Sequence, residues 1–273
     1  MNLSILCTIF FVIVMYIHIF FQLKTSNDLE IYEIQMPSKQ KLEEVCNFKQ
    51  PVVFNYVEET LMNCNVSSLQ EYIAFDVNVL DENYVKVPLP LEKAMELFKK
   101  KQYATMDNAT FLNETMAKRY FTITDLALRP PMVSSIHYDV MFGSEKYTTR
   151  LQYSKYYRNY FVVTSGSITI KLAPPRNSIF LNEITNYETH EFYSKFNPWT
   201  EPNKKVKFLE IVLLPGQLIY IPAYWWYSIQ LDKDACVCTY KYSTIMNVLA
   251  TLPDTAMGFL QRQNTTTKLL PTF

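Results

Sequence analysis

The sequence predicts a mainly-β α+β fold: a helical amino-terminal region packed on an antiparallel β-barrel or sandwich, with one membrane-spanning helix in front. Three observations carry this. Residues 3–23 contain no charged side chain. Segments between residues 38 and 101 place apolar residues at helical spacing. From about residue 132 onward, seven short runs rich in β-branched and aromatic residues follow one another, separated by SG, PPRN, PGQ and DKDA.

Taken in order, LSILCTIFFVIVMYIHIFFQL at 3–23 extends about 31 Å as a helix at ~1.5 Å per residue, one bilayer core. The run is longer than a signal-peptide core and no small-x-small cleavage pattern follows it, so residues 1–24 read as a single-pass anchor that puts the chain on a membrane. His18 inside it reads as a helix-packing residue. Lys24, Lys39 and Lys41 follow the anchor and only the α-amino group precedes it, which favours the cytosolic side for the rest of the chain. Sequons at Asn65, Asn108, Asn113 and Asn264 decide little in a chain this rich in asparagine.

Residues 25–36 read as a juxtamembrane linker. Ser38 then caps a helix over KQKLEEVC, and QPVVFNYV reads as a strand. Ser67, with Gln70 three residues on, reads as a capping box that opens a second helix through EYIAF. LEKAMELFKKK at 91–101 puts Leu91, Ala94, Met95 and Phe98 on one face of a third helix. The β-rich runs are KYTTRLQY, YFVVTS, SITIKL, FLEIVLL, QLIYIP, WYSIQL and CVCTYKY. They complete a domain over 37–250, followed by an extension at 251–273 whose NTTTKLLPTF reads as a mobile tail.

Composition excludes several functions. Lys plus Arg and Asp plus Glu both number 26, so no basic field argues for nucleic acid. Four glycines stand where average usage gives about 19, and neither GxGxxG nor GxxxxGK[ST] occurs, so no nucleotide is expected. G-x-S-x-G, H-E-x-x-H and C-x-x-C are also missing, which removes the hydrolase, protease and structural-zinc readings.

NYFVVTSGSITIKLAPP at 159–175 and LLPGQLIYIPAYWWYSIQL at 213–231 resemble the cupin-like JmjC group of Fe(II) and 2-oxoglutarate dependent oxygenases, which includes the factor-inhibiting asparaginyl hydroxylase. KQPVVF at 49–54, FGSE at 142–145 and NPW at 197–199 support it. The resemblance covers 37–250 and implies a double-stranded β-helix, the cupin or jelly-roll barrel. Its scaffold positions are matched by Asn159, Gly166, Pro215, Gly216, Pro222, Trp225 and Trp226.

The resemblance also implies an H-x-D pair and a later histidine holding Fe(II) as a facial triad. Asn159 and Gly166 are seven residues apart, as in the family, and this sets the register. The first histidine position then holds Tyr153, the aspartate position Lys155 and the second histidine position Tyr227; the lysine that pairs with 2-oxoglutarate is replaced by Ile168. A charged ammonium ligates no metal, so neither cofactor is expected.

Lys155 is expected to form an internal ion-pair strut with an acidic partner, or else to hold a carboxylate ligand beside Tyr153 and Tyr227. The reading is a pseudoenzyme: a non-catalytic binding or scaffold module with a protein partner, recognised through the insert at 176–206. The alternative is an active Fe(II) and 2-oxoglutarate dependent protein hydroxylase with a rebuilt site of His137, Asp139 and His190. Strand alternation puts His137 and Asp139 on one face, but they lie on the strand before the family's H-x-D, and His190 falls in the polar insert.

Overall fold

In the computed structural model, which describes residues 3–100, 102–187, 190–201 and 204–264, the chain begins with α1 (Leu3–Leu23). None of its residues is buried, and it is long and apolar enough to cross a membrane. Next come β1 (Tyr32–Ile34), α2 (Lys39–Cys46), β2 (Val52–Asn55), α3 (Glu59–Met62) and α4 (Val66–Leu69). The hairpin β3 (Asp76–Leu80) and β4 (Lys86–Pro90) continues into α5 (Leu91–Phe98), β5 (Ala104–Thr105), α6 (Ala109–Glu114) and α7 (Thr122–Leu128). The main β region runs through β6 (Val133–Phe142), β7 (Leu151–Tyr153), β8 (Arg158–Ser165), β9 (Ile168–Ala173), β10 (Glu183–Asn186), β11 (Glu191–Ser194), β12 (Leu209–Leu213), β13 (Gln217–Ile221), β14 (Trp226–Leu231) and β15 (Cys236–Thr244). Helices α8 (Ile245–Ala250) and α9 (Leu252–Asn264) follow.

Two six-stranded sheets result, in the spatial orders β1-β2-β13-β8-β15-β6 and β10-β11-β7-β14-β9-β12, with β4-β3-β5 as a small third sheet. The expected barrel is corrected here: each sheet keeps two unpaired edges, so neither closes. Period-two alternation explains the packing. Val53, Phe161, Val163, Ile219 and Val237 on the first sheet meet Ile168, Ile170, Leu172, Leu213 and Ile229 on the second in one buried cluster. The opposite face of the first sheet, with Phe54, Tyr160, Leu218 and Tyr240, packs on Leu42, Leu61, Leu91 and Phe121 of the amino-terminal segment. Each such side chain contributes roughly 1.5–3 kcal/mol by leaving water.

Local signals succeed where a single contact decides them. Ser38 Oγ accepts from Lys41 N at 3.3 Å and starts α2 as expected. At α4 the cap is Asn65, whose Oδ1 accepts from Ser68 N at 3.0 Å, and the helix gives way to a 3-10 turn at Gln70–Tyr72; the Ser67 capping box does not form. Part of the expected linker is strand: Tyr32–Ile34 pairs in parallel with Val52–Phe54. The polar insert is likewise corrected, because β10 and β11 form a hairpin on the edge of the second sheet, paired to β7. Residues 265–273 of the expected tail lie outside the described residues. Asn108 is 1% exposed and its amide nitrogen donates to Val140 O at 2.8 Å, so the folded chain presents no acceptor at that sequon.

Lys49 is 4% exposed, with its ammonium over the rings of Tyr157 at 4.5 Å and Phe21 at 5.3 Å. Burial first, and the charge of Arg158 second, pull its pKa down to about 8. Between that value and the ordinary lysine range the unfolded chain binds more protons than the folded one, so this residue makes stability rise with pH there. Lys49→Met is therefore expected to raise the unfolding free energy at pH 7 by about 1–3 kcal/mol and to flatten the stability gain between about pH 8 and 10. Urea titrations across that range check it, and a less stable variant contradicts it.

Candidate functional site

The facing sides of the two sheets carry polar residues at one end. On the first sheet Lys241 lies opposite both His137 of β6 and Asn159 of β8, and Thr239 lies opposite Asp139. These residues share the inward face with Phe161 and Val237, which are in the inter-sheet core. On the second sheet Tyr227 lies opposite Gln152. Asp107 and Tyr156 complete the group from loops.

Lys241 is the charge at the centre. Burial alone would lower its pKa, but Tyr227, Asp107, Asp139 and Tyr156 outweigh that and hold the ammonium protonated. Its Nζ lies 5.9 Å from the Tyr156 ring centroid. Asp139 is buried, and its carboxylate accepts from the backbone amides of Asp107 at 2.8 Å, Asn108 at 2.7 Å and Val140 at 2.8 Å. Burial and the Asp107 charge nevertheless push it up to about 6. Asp107 moves the other way: burial raises it, and Lys241 together with Lys86 more than offsets this. His137 is lowered by burial and by Lys241, and its ring meets that of Tyr156 edge-on at 5.3 Å. Tyr227 is buried and raised, with Phe161 at 5.3 Å between ring centroids.

Above this cluster is a cleft of about 250 Å³ lined by His137, Ser154, Lys155, Tyr156, His190, Phe192 and Ser243, with Asn247, Thr251 and Asp254 from the carboxy-terminal segment. A larger surface cleft of about 850 Å³ lies between α5 and the 142–145 turn. Its Lys99, Lys100, Asp81 and Glu145 include both signs of charge. The inward cluster is the stronger candidate because its charges face one another.

The structure separates residues that the sequence had grouped. Tyr227 is inside, but the residue opposite it is Gln152, not Tyr153. Tyr153 points to the other side of the sheet, where it stacks on Phe192 at 5.2 Å, meets Trp226 edge-on at 4.9 Å and donates its hydroxyl to Glu183. Gln152 and Tyr153 are neighbours on one strand, and successive strand side chains point to opposite faces. The inward pair is Gln152 and Ser154, and Ser154 Oγ donates to Asn159 Oδ1 at 2.8 Å.

Lys155 faces the carboxy-terminal helix and pairs with Asp254 at 2.9 Å, its Nζ 4.2 Å from the Phe192 centroid. Ile168 is in the inter-sheet core. Asn159 Nδ2 donates to Ile221 O at 3.1 Å. Gly166 and Gly216 have φ of 62° and 81°, the left-handed region that glycine enters freely. Pro215 precedes Gly216 and Pro222 ends β13. Both tryptophans are buried: Trp225 Nε1 donates to Lys49 O at 3.2 Å and Trp226 Nε1 to Ser178 Oγ at 2.8 Å.

Lys241, Gln152, Ser154, Asp107 and Tyr156 are the residues that sequence reasoning missed. One signal pointed to Lys241: it is a charged residue at an inward position of the alternating run CVCTYKY.

The rebuilt metal site is only partly assembled. His137 and His190 line one cleft, but Asp139 is occupied by three backbone amides. No group of three or more His, Cys, Asp and Glu able to hold a metal ion is found among the described residues. At the inward positions, an amide, a hydroxyl, a phenol and an ammonium are a donor set that does not fit Fe(II). Two variant sets distinguish the registers. Tyr153→His, Lys155→Asp and Tyr227→His together are expected to bind no Fe(II), whereas Gln152→His, Ser154→Asp and Tyr227→His with Lys241→Asn are expected to bind it. Elemental analysis reads the difference, and iron bound only by the first set overturns the register.

Two facing β-sheets with a polar inner end, under a helical amino-terminal segment, define a cupin-like architecture. Residues 38–247 match the family described as cupin-like domain, and the chain belongs to that family. No curated protein matches the chain.

Proposed function

We propose that this is a membrane-anchored, JmjC-like member of the cupin-like family that has given up the iron centre and acts as a non-catalytic binding or scaffold module. The observation that supports the reading is Lys241: an inward ammonium on β15, held protonated by its electrostatic interactions with Tyr227, Asp107 and Asp139, supplies from within the chain the positive charge that a metal would bring. The Lys155–Asp254 pair ties the edge of the cleft to the carboxy-terminal helix in the same metal-free way. Residues 3–23 hold the domain to the bilayer, and Lys24, Lys39 and Lys41 favour the cytosolic side. The added hairpin at β10 and β11, within the 176–206 insert, is the surface we assign to a protein partner. The alternation of β12, β13, β14 and β15 between the two sheets supports a double-stranded β-helix.

A second reading, an active oxygenase, is favoured by one observation: His137 and His190 open onto the same cleft. Thermal denaturation of the full chain in detergent distinguishes the two. A ligand that binds only the folded state raises stability with its excess over Kd. The binding-module reading expects no rise in Tm with Fe(II) and 2-oxoglutarate; a rise that grows with concentration supports the oxygenase.

A further inference from the structure

The 3-10 helix Pro175–Phe180 presents Ile179 at 78% exposure and Phe180 at 41%. Beside them is a cleft of about 440 Å³ lined also by Leu29, Arg176, Lys205 and Lys207, with no carboxylate among the described residues that line it. The Lys205 ammonium lies 5.9 Å from the Phe180 ring centroid.

This patch is tied to the foot of α1. Arg176 N donates to Asn27 Oδ1 at 2.9 Å, and Leu23 and Thr25 line a cavity with Pro175 and Ser178. Asn27 is four residues past the end of α1, so at ~3.5 Å per residue its Cα lies within about 14 Å of the helix end, and the 3-10 helix is one side-chain hydrogen bond beyond it. The nearby Asp28 carboxylate is turned to Gln50 at 3.0 Å.

We propose that this patch docks on the bilayer surface, with Ile179 and Phe180 entering the interface and Arg176, Lys205 and Lys207 pairing with the phosphates of anionic lipid headgroups. The proposal rests on α1 spanning the bilayer. An apolar wedge ringed by cations is the composition that interfacial binding uses, and each basic residue near an anionic surface is worth about five-fold in affinity. The fold makes this patch from residues about 150 positions downstream of the anchor, so charge counts around residues 24–41 do not contain it.

The test compares the full chain in nanodiscs of phosphatidylcholine and of phosphatidylcholine mixed with phosphatidylserine, read by amide hydrogen exchange. Exchange over 176–180 and 204–207 is expected to slow about ten-fold or more in the anionic discs. Arg176→Glu with Lys205→Glu and Lys207→Glu is expected to erase that difference, and Ile179→Ser to reduce it. Equal exchange in both bilayers, with the protein retained in the discs, overturns the proposal alone. A chain that stays in neither disc overturns the anchor reading and the proposal with it. Slowing caused by inorganic phosphate in neutral discs shows a small-anion site and overturns the lipid assignment.

Discussion

Lys241→Met is expected to destabilise the protein by about 3 kcal/mol at neutral pH, although it removes no apolar contact from the core. The figure is the low end of the range for taking the compensating charge away from a buried carboxylate, because Lys241 is only half-buried and acts on Asp139 through its charge. The loss comes from what remains: Asp107 keeps its ion pair with Lys86, but buried Asp139 loses the cation that offsets its own burial and the Asp107 charge. Asp139 already titrates at about 6 with Lys241 present, and without it moves higher. A carboxyl raised in the folded state binds more protons there than in the unfolded chain, so its contribution to stability falls as pH rises from about 4 through its folded pKa. The variant is therefore expected to lose stability more steeply than the wild type between about pH 4 and 7. Adding Asp139→Asn is expected to recover part of the loss, which measures the coupling directly. Urea denaturation at both pH values checks this. A variant as stable as the wild type at pH 7 removes Lys241 from its central place.

The second large effect is at Arg158, which is 1% exposed and forks onto Glu43 at 2.9 and 2.6 Å. This pair connects β8 in the first sheet to α2, two elements far apart in sequence. Arg158→Met is expected to lower stability by about 3 kcal/mol; the Glu43 side chain is 27% exposed, so water relieves part of the unpaired charge. Arg158→Lys is expected to restore less than half, because a single ammonium cannot make the two parallel bonds. Full rescue by lysine contradicts the bidentate account.

The strands were legible because their alternation is local: YFVVTS, SITIKL, QLIYIP and WYSIQL announce their faces within six residues. The Ser38 cap was legible for the same reason. What was hidden depends on contacts between distant segments. Whether Tyr153 or Gln152 faces Tyr227 depends on the register of one strand, and a single residue inverts the answer. The acidic partner of Lys155 is 99 positions downstream at Asp254, and no spacing rule reaches it. Lys241 stood out in its strand, yet its meaning needed Asp107, which comes from a loop 134 positions upstream with φ of 61°. The insert concealed a hairpin because its polar residues lie on a sheet edge, where one face meets water.

In the proposed function, Lys241 and its neighbours stand where a metal ion would otherwise supply the positive charge. Elemental analysis of the full chain, purified in detergent after incubation with Fe(II), joined to a 2-oxoglutarate decarboxylation assay on the same sample, tests it most directly. Iron well below one atom per chain and no succinate above the protein-free control are expected. One iron per chain together with turnover contradicts it.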